Sequence, residues 1–251
     1  MTKSANYSPV SLTPPSKPYT PSGSNMKTVA ITGTSRGLGL ALTRTFLTNG
    51  WQVIAIGRHL PDASTTLNVR IEQCDLANGA AIRAVAANLR DVKIDVLINN
   101  AGVYDAVSVD ENDATTDTTK LANVFQVNTI APKLLSELLV PNVQAGEDKL
   151  IISITSGMGT YAEFDTYHAK HWAYSASKAA LNYAMVSFAE LHPDIKTALV
   201  SPGWMQTSMG GSDAVIRPEE SAEAIYDLVA NHPKKLLNAG IVDYTGRKMD
   251  F

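Results

Sequence analysis

The chain has 251 residues, of which 45% are hydrophobic and 18% are charged, a composition typical of a globular protein with a sizeable core. No apolar run approaches the roughly 20 residues that a membrane-spanning helix requires. The single cysteine, Cys74, excludes an intramolecular disulfide and a cluster of thiolate metal ligands. It also favours a reducing compartment, so we expect a cytoplasmic protein.

Charge is unevenly distributed along the chain, although the net charge is only −3. Six basic residues and no acidic residue precede Asp62, so that stretch carries +6 and the remainder carries −9. The asymmetry is compatible with an anionic ligand bound by the first part of the fold, or with chance. Lys and Arg do not cluster with aromatic residues, so we expect no nucleic-acid partner.

Residues 1–26 combine five prolines with many Ser and Thr and few aliphatic side chains. This composition predicts a disordered tail. The segment has no continuous apolar stretch like that of a secretory signal and no arginine of the kind found in transit peptides. We therefore expect one folded domain over residues 27–251.

From residue 27 the sequence alternates short β-branched runs with longer helical patterns. Strands are predicted at 28–32, 52–56, 67–73, 94–98, 149–154, 196–201 and 240–243. Helices are predicted at 38–48, 78–90, about 118–139, about 174–191, and from Pro218 onward. This alternation predicts a single doubly wound, Rossmann-type α/β domain with a mostly parallel, seven-stranded sheet covered by helices on both faces.

A glycine-rich segment, Gly33-x-x-x-Gly37-x-Gly39, joins the first predicted strand to the first predicted helix. Glycine permits a tight turn and a close approach of backbone N–H groups to phosphate, and a helix N-terminus attracts negative charge. This context favours a nucleotide phosphate site over a purely structural turn. The other residues of the segment that we assign to the cofactor are Ser35, Arg36 and Leu38.

The second predicted strand ends in Gly57-Arg58, without the acidic residue that binds the ribose 2′-hydroxyl of NAD. An arginine suits a 2′-phosphate, and Arg36 adds a second cation nearby, so we predict NADP(H). The alternative is that both arginines are solvated surface charges. Asp75 and Leu76, after the third strand, are candidate adenine contacts, with a structural turn as the alternative for Asp75.

Several motifs follow one another in a recognisable order: the glycine segment, Asn99-Asn100-Ala101-Gly102, Ser156, Tyr174-x-x-x-Lys178 and Ser201-Pro202-Gly203. Together they resemble the short-chain dehydrogenase/reductase family over residues 27 to about 251. The segments 202–211 and 242–246 are most similar to its C-factor and sniffer carbonyl-reductase branch. The resemblance implies an oxidoreductase whose cofactor also contacts Asn100, Ala101, Gly102, Pro202, Gly203, Trp204 and Thr207. For residues 99–102, stabilisation of the sheet is the alternative.

Tyr174 and Lys178 are four residues apart, so they share one face of a helix. A phenol titrates near pH 10, and a neighbouring ammonium should lower the pKa of Tyr174 enough for it to exchange a proton with substrate. By itself such a pair is more typical of a protein surface. The resemblance implies that Ser156 binds the substrate carbonyl oxygen, that Lys178 and Tyr174 also contact the nicotinamide ribose, and that Asn128 completes a proton relay.

Ser153 and Thr155 compete with Ser156 as the hydroxyl at the end of the fifth strand. The separation of Ser156 from Tyr174 is several residues longer than is usual in the family, which adds aromatic residues and histidines before Tyr174. We expect the substrate to lie between segment 158–172 and a mobile loop at 204–217. The predicted substrate contacts are Met158, Tyr161, Trp172, Trp204, Met205 and Met209.

Aromatic and apolar walls of this kind favour an aromatic or apolar ketone or aldehyde as substrate. His168 and His171 have no third ligand at a suitable spacing, so we expect no metal. The leading interpretation is therefore an NADPH-dependent carbonyl reductase. A dinucleotide-binding signalling protein of C-factor type and an enzyme with a non-redox reaction are the alternatives. The sequence leaves open a monomer, a homodimer or a homotetramer, and it predicts no membrane partner.

Overall fold

The structure, a computed structural model, describes residues 26–58, 68–104, 117–162 and 164–251. The predicted tail, apart from Met26, lies outside the described residues, so its disorder stays a prediction. Within the described ranges, none of the helices is both long enough and apolar enough to cross a bilayer.

An open sheet of eight strands forms the centre of the fold, in the order β3-β2-β1-β4-β5-β6-β7-β8. All neighbouring pairs are parallel except β7 and β8, which are antiparallel. The strands are β1 (Thr28–Thr32), β2 (Gln52–Gly57), β3 (Val69–Gln73), β4 (Val96–Asn99), β5 (Leu150–Ile154), β6 (Lys196–Ser201), β7 (Ile241–Asp243) and β8 (Lys248–Met249). The predicted parallel, doubly wound sheet is therefore confirmed.

The eighth strand corrects the predicted count of seven. A tight turn reverses the chain after β7, because the Asp243 carboxylate accepts the backbone N–H groups of Thr245 and Arg247. Gly246 in this turn has φ +85°, a conformation that favours glycine. A strand of two residues is too short to give a recognisable alternation in the sequence.

Eight α-helices occur in the described part of the chain, and they agree broadly with the prediction. They are α1 (Gly37–Thr48), α2 (Gly79–Asn88), α3 (Thr118–Phe125), α4 (Ala131–Leu138), α5 (Val140–Gln144), α6 (Thr166–Lys170), α7 (Trp172–Leu191) and α8 (Pro218–Ala230). The predicted regular helix over about 118–139 is wrong in one respect, because a π-helical turn, Gln126–Ile130, joins α3 to α4.

Two apolar layers bury the sheet, one on each face. On one face, Phe46 of α1 is fully buried and packs edge-on against Trp51 and Tyr226, with ring centroids 5.1 Å apart in each pair. On the other face, α2, α4 and α7 cover the sheet, and Phe188 of α7 is fully buried there. Each such aromatic side chain stabilises the fold by about 2–3 kcal/mol through its burial. The central strands β1, β2, β4 and β5 are buried along their whole lengths, which explains their nearly continuous apolar sequence.

Candidate active site

The candidate site lies where the chain order reverses in the sheet, between β1 and β4. The chain proceeds outward from β1 through β2 to β3, and then returns to β4 on the other side of β1. Loops that leave the carboxyl ends of two such strands diverge to opposite faces and open a crevice. The predicted glycine segment follows β1, and the predicted Asn100-Ala101-Gly102 segment follows β4, so the fold brings these two motifs together.

The glycine segment has the conformation expected of a phosphate loop. Gly33 and Gly37 have φ angles of +73° and +55°, which L side chains rarely adopt. A Cβ on Gly39 would lie 2.1 Å from the carbonyl oxygen of Gly33, so a side chain at position 39 would collide with the backbone. Helix α1 begins at Gly37, and no acidic residue occupies its first turn. Its free N–H groups and positive dipole end therefore suit an anion.

Thr32 and Asn100 fasten the two loops to each other. The Thr32 hydroxyl accepts the backbone N–H groups of Asn100 and Ala101, both at 3.0 Å. The Asn100 amide donates to the carbonyl oxygens of Thr32 and Gly33, at 2.8 and 3.3 Å. Because a Cβ on Gly33 would lie 2.8 Å from Cα of Ala101, this close packing requires glycine at position 33. These bonds give residues 100–101 a structural role beside any contact with a cofactor.

Arg36 and Arg58 are exposed near the glycine segment, which fits both the predicted 2′-phosphate site and the alternative of solvated surface charges. Arg58 directly follows β2 and is exposed, and Arg36 donates to the hydroxyl of Ser208 at 2.8 Å. The Asp75 carboxylate accepts the backbone N–H of Ala77 at 3.0 Å, so it does form the turn that was the alternative to adenine binding. Leu76 is buried in the core and 8% exposed. Ser35 is exposed at the loop, whereas Leu38 is buried beneath it.

The loop after β6 reaches back to the glycine segment. A Cβ on Gly37 would lie 3.4 Å from the methyl group of Thr207, so these two loops are in contact. Pro202 accepts a hydrogen bond from Ser221 of α8 at 2.8 Å, and Gly203 has φ +80°. The predicted cofactor residues Pro202, Gly203 and Thr207 thus lie on a segment that the fold holds near the glycine segment.

Helix α7 places Tyr174 and Lys178 beside Ser156, which follows β5. The side chain of Ser156 lies near enough to the Tyr174 phenol to lower its pKa. The Lys178 ammonium lies 5.8 Å from the centroid of the Tyr174 ring and donates to the carbonyl oxygen of Ile154 at 2.8 Å. Lys178 is only 3% exposed. The structure therefore brings together the phenol, the hydroxyl and the ammonium that the sequence predicts.

The pKa of Tyr174 corrects one expectation. Burial raises this pKa to about 12, although the Ser156 side chain acts in the opposite direction. The expected lowering by Lys178 is therefore wrong, because desolvation of the phenolate dominates and the neighbouring Tyr167 raises the pKa further. Burial also lowers the pKa of Lys178 to about 8. At neutral pH the phenol therefore holds its proton and the amine remains largely charged.

The structure distinguishes the three hydroxyls that compete at the end of β5. Ser153 is fully buried and accepts a bond from Asn99 at 3.3 Å, and Thr155 is buried and donates to Asn182. Ser156 is half-buried and caps the short 3-10 turn Gly157–Gly159, where its oxygen accepts the N–H of Met158 at 3.1 Å. Of the three, Ser156 is the hydroxyl that faces Tyr174.

Asn182 holds the Ser156 segment against α7. It lies four residues beyond Lys178, accepts a hydrogen bond from the Thr155 hydroxyl, and donates to the carbonyl oxygen of Gly159 at 3.0 Å. A Cβ on Gly159 would lie 2.9 Å from backbone and side-chain atoms of Lys178. The sequence analysis missed both residues, although Asn182 continues the i, i+4 spacing of Tyr174 and Lys178.

Asn128 lies in the π-helical turn and is fully buried. Its amide donates to the carbonyl oxygen of Val103 at 2.9 Å and to the Ser177 hydroxyl at 3.0 Å. Its side-chain oxygen accepts the backbone N–H of Val103 at 2.8 Å. A Cβ on Gly102 would lie 3.4 Å from that oxygen and 3.7 Å from the Lys178 ammonium nitrogen. Asn128 therefore joins the loop after β4 to the helix of Tyr174, with its amide committed to these bonds.

The predicted substrate contacts occupy different environments. Met158 and Trp172 are half-buried at the two ends of the insertion, whereas Tyr161 is 79% exposed and stacks on Phe164. On the opposite loop, Trp204 and Met209 are exposed, and the Trp204 indole donates to the carbonyl oxygen of Gly210. Met205 packs against the apolar core under α1 and α8, so it contributes to the core as well as to the loop.

Tyr104 and Tyr167, which the sequence analysis did not assign to the site, lie near Tyr174. Tyr104, after β4, has its ring centroid 4.9 Å from that of Tyr174, and its hydroxyl lies 3.3 Å from the hydroxyl of Tyr167 on α6. The His171 ring contacts the rings of Tyr104 and Tyr167, with ring centroids 5.1 and 4.5 Å apart. His168 pairs with Asp165 at 2.5 Å. Among the residues described, no group of three or more His, Cys, Asp or Glu side chains is arranged to hold a metal ion.

Comparisons with known proteins find relatives in sequence and in fold. A family model described as short chain dehydrogenase matches residues 27–215. The C-signal protein of Myxococcus xanthus is 35% identical over 150 residues, which cover 59% of this chain and 87% of that protein. The (+)-neomenthol dehydrogenase of Arabidopsis thaliana is 24% identical, over 77% of this chain and 88% of the relative.

Among solved structures, the carbonyl reductase Sniffer of Drosophila melanogaster is similar with a TM-score of 0.79 and 28% identity, over 90% of this chain and 100% of that one. An NADPH-bound carbonyl reductase from chicken fatty liver gives a TM-score of 0.78 and 25% identity, over 90% of this chain and 99% of that one. An NADP-bound protein of Burkholderia multivorans gives 0.75 and 29%, over 90% and 100% of the two chains.

Proposed function

Because this chain belongs to the short-chain dehydrogenase family, we propose that it is an NADP(H)-dependent carbonyl reductase that interconverts an aromatic or apolar ketone or aldehyde and its alcohol. It is an oxidoreductase of this family, and similar structures carry NADP(H). The observation that carries the proposal is the assembly of the Tyr174 phenol, the Ser156 hydroxyl and the Lys178 ammonium at the reversal point of the sheet.

The residues around the glycine loop fit NADP(H). Gly33 and Gly37 adopt positive φ and Gly39 packs its backbone against Gly33, so the loop turns tightly into α1, whose N-terminus offers N–H groups to a pyrophosphate. Arg36 and Arg58 supply positive charge for a 2′-phosphate, and Arg36 would exchange its bond to Ser208 for that group. When bound, the reduced nicotinamide supplies a hydride to the substrate carbonyl carbon.

Tyr174 supplies the proton that completes the reduction. With its pKa raised to about 12, the phenol is protonated at neutral pH and can donate to the carbonyl oxygen. The Ser156 hydroxyl donates a second hydrogen bond to that oxygen as negative charge develops there. Once Tyr174 becomes a phenolate, the Lys178 ammonium, 5.8 Å from the ring, stabilises it. In the oxidative direction the phenolate removes the alcohol proton.

Asn128 orients this group, because its bond to Ser177 and its bonds to Val103 connect the helix of Tyr174 to the loop after β4. Since its side-chain amide is committed, we propose that Asn128 acts by holding the helix of Tyr174 in place, and the proton relay stays a prediction.

The assignment is tested by Tyr174→Phe. Removal of the phenol proton should lower kcat/KM for ketone reduction by about 10²–10⁴-fold. The affinity for NADPH, measured by fluorescence titration, should change little. Tyr226→Phe is the matched control, because Tyr226 packs edge-on against Phe46 on the face of the sheet opposite α7. Full activity in Tyr174→Phe would refute the mechanism.

The cofactor preference is tested by Arg58→Ala. Loss of the guanidinium should raise KM for NADPH by about 10–100-fold, as for the loss of a charge-assisted bond to phosphate. KM for NADH should change little, because NADH has no 2′-phosphate. Arg44→Ala, an exposed arginine on α1, is the control. Equal use of NADH and NADPH by the native protein would contradict the prediction.

A signalling protein that binds dinucleotide without turnover is the second candidate, favoured by the 35% identity to C-signal. The two functions differ in their need for a proton donor. If Tyr174→Phe loses reductase activity but still restores the phenotype of cells that lack the gene, the second candidate is supported.

We also propose a homodimer or homotetramer assembled through the helices that bear Asn128 and Tyr174. Support comes from large apolar side chains exposed there, namely Ile130, Tyr183 and Leu191 at 50%, 79% and 68%. Light scattering coupled to size-exclusion chromatography measures the assembly directly. A cytoplasmic location stays a prediction, and cell fractionation tests it.

A further inference from the structure

Tyr104 and Tyr167, here called the phenol pair, adjoin the candidate catalytic residue Tyr174. The two residues come from different elements, the loop after β4 and helix α6. Tyr104 meets the ring of Tyr174 edge-on, with a centroid separation of 4.9 Å and an interplanar angle of 64°. The hydroxyls of the pair lie 3.3 Å apart. This arrangement places two further phenol hydroxyls in the neighbourhood of Tyr174.

The bond within the phenol pair leaves hydrogen-bonding capacity unused. A separation of 3.3 Å is long for an O–H···O bond, which normally measures about 2.5–3.0 Å. Two hydroxyls hold two protons, and their mutual bond uses one of them. Neither hydroxyl has another hydrogen-bond partner within residues 26–58, 68–104, 117–162 and 164–251. A ligand oxygen that accepted from one hydroxyl or from both would therefore replace a weak bond with stronger ones.

Both members of the phenol pair are at least partly accessible, and Tyr104 keeps its proton. Tyr167 is 53% exposed, and Tyr104 is half-buried against Tyr174 and His171. Burial and the neighbouring phenols raise the pKa of Tyr104 above its ordinary value. Its hydroxyl consequently remains a neutral donor throughout the pH range in which the enzyme would be assayed.

We propose that Tyr104 and Tyr167 form a subsite that binds a second oxygen atom of the substrate, a few bonds away from the carbonyl that Tyr174 protonates. This inference rests on the proposed function. The substrate class is thereby narrowed to aromatic or apolar carbonyl compounds that carry an additional hydroxyl or carbonyl oxygen. A site built to hydrogen-bond such an oxygen disfavours an analogue that lacks it.

Matched ketones that differ by one hydroxyl test the subsite. NADPH oxidation is followed with 2-hydroxyacetophenone and with acetophenone, for the native enzyme, Tyr104→Phe and Tyr167→Phe. Each variant keeps its ring and loses only its hydroxyl. The ratio of native to variant kcat/KM, taken for each ketone separately, cancels the intrinsic reactivity of the ketone. Tyr226→Phe again serves as the control.

Each Phe variant should lower kcat/KM for 2-hydroxyacetophenone by about five- to tenfold, the loss expected for one neutral hydrogen bond. The value for acetophenone should stay within about twofold, because that ketone has no second oxygen. An equal loss for both ketones overturns the subsite, since the phenol pair would then act only by supporting Tyr174.

Binding distinguishes failure of the subsite from failure of the proposed function. Titration calorimetry on the NADPH-loaded enzyme, which cannot oxidise an alcohol, compares 1-phenyl-1,2-ethanediol with 1-phenylethanol. Tighter binding of the diol that is lost in Tyr104→Phe supports the subsite, even if the native enzyme reduces neither ketone and the reductase assignment fails. Equal affinity of the native protein for the two alcohols overturns the subsite, whatever its reductase activity.

Discussion

Substitution of Lys178 by methionine should increase stability while it abolishes activity. Lys178 is 3% exposed, and burial lowers its pKa from 10.5 to about 8. Its ammonium has one hydrogen bond, to the carbonyl oxygen of Ile154, in compensation for the water it loses. Methionine has a similar length and no charge, so it occupies the same space without that desolvation cost.

The magnitude follows from the pKa of Lys178. A decrease from 10.5 to about 8 means that the folded state disfavours the ammonium by about 3 kcal/mol at neutral pH. Loss of the bond to Ile154 offsets about 1–2 kcal/mol of this gain. Lys178→Met should therefore raise the free energy of unfolding by about 1–2 kcal/mol at pH 7.

The pH dependence gives a sharper test than the stability at one pH. Because the folded pKa of Lys178 lies below the unfolded value, the unfolded chain binds more protons between pH 8 and 10.5, and this residue's contribution to stability rises with pH there. Between pH 7 and 9 the native protein should gain about 1 kcal/mol relative to Lys178→Met. Tyr174 titrates above this window, and Cys74 is common to both proteins, so its contribution cancels.

Urea unfolding followed by tryptophan fluorescence at pH 7, 8 and 9 measures these differences. Lys120→Met is the control, because Lys120 is exposed on α3 with a side-chain exposure of 57%. Identical pH dependence of the native protein and Lys178→Met would refute the reasoning, and so would a loss of stability in the variant at pH 7. Ketone reduction by Lys178→Met should fall by about 10²-fold or more, because the phenolate loses its nearby cation.

Two further substitutions test the attachment of the Ser156 segment to α7. Gly159→Ala should destabilise the fold by about 1–3 kcal/mol, because the new Cβ would meet Lys178 at 2.9 Å, whereas Gly79→Ala, with its nearest neighbour at 3.9 Å, should be almost neutral in thermal unfolding. Asn182→Ala leaves two buried partners unbonded and should cost about 2–4 kcal/mol and lower kcat about tenfold. Asn142→Ala is the control, because it removes two hydrogen bonds of a buried asparagine far from the site. It should cost similar stability without changing kcat. An equal kcat in the two Asn variants would exclude a positioning role for Asn182.

The features that the sequence predicts well are those encoded by local patterns. Strands such as Val96–Asn99 are buried on both faces and therefore read as short apolar runs, and Gly33 marks a backbone conformation that few residues other than glycine adopt. The spacing of Tyr174 and Lys178 follows directly from helical geometry. These patterns place the sheet, the glycine loop and the candidate catalytic helix correctly.

Features that depend on tertiary contacts escape such patterns. Tyr104 joins the site only because the loop after β4 and helix α6 meet in space, over 63 residues of sequence. The pKa of Tyr174 rises because the surrounding fold removes water, and no spacing rule conveys the extent of that burial. The bonds of Asn182 likewise require that β5 and α7 already be packed together.

The π-helical turn at Gln126–Ile130 allows one helical segment to contact both the site and the core. Insertion of one residue into a helix rotates all subsequent side chains by about 100°. Asn128 can therefore contact the loop after β4 and helix α7, while Ala131 and Leu135, just beyond the turn, still lie against the sheet. Because of the extra residue, the direction in which Asn128 points is independent of the direction in which the apolar side chains of α4 point. The apolar residues of α4 can therefore vary without reorienting Asn128.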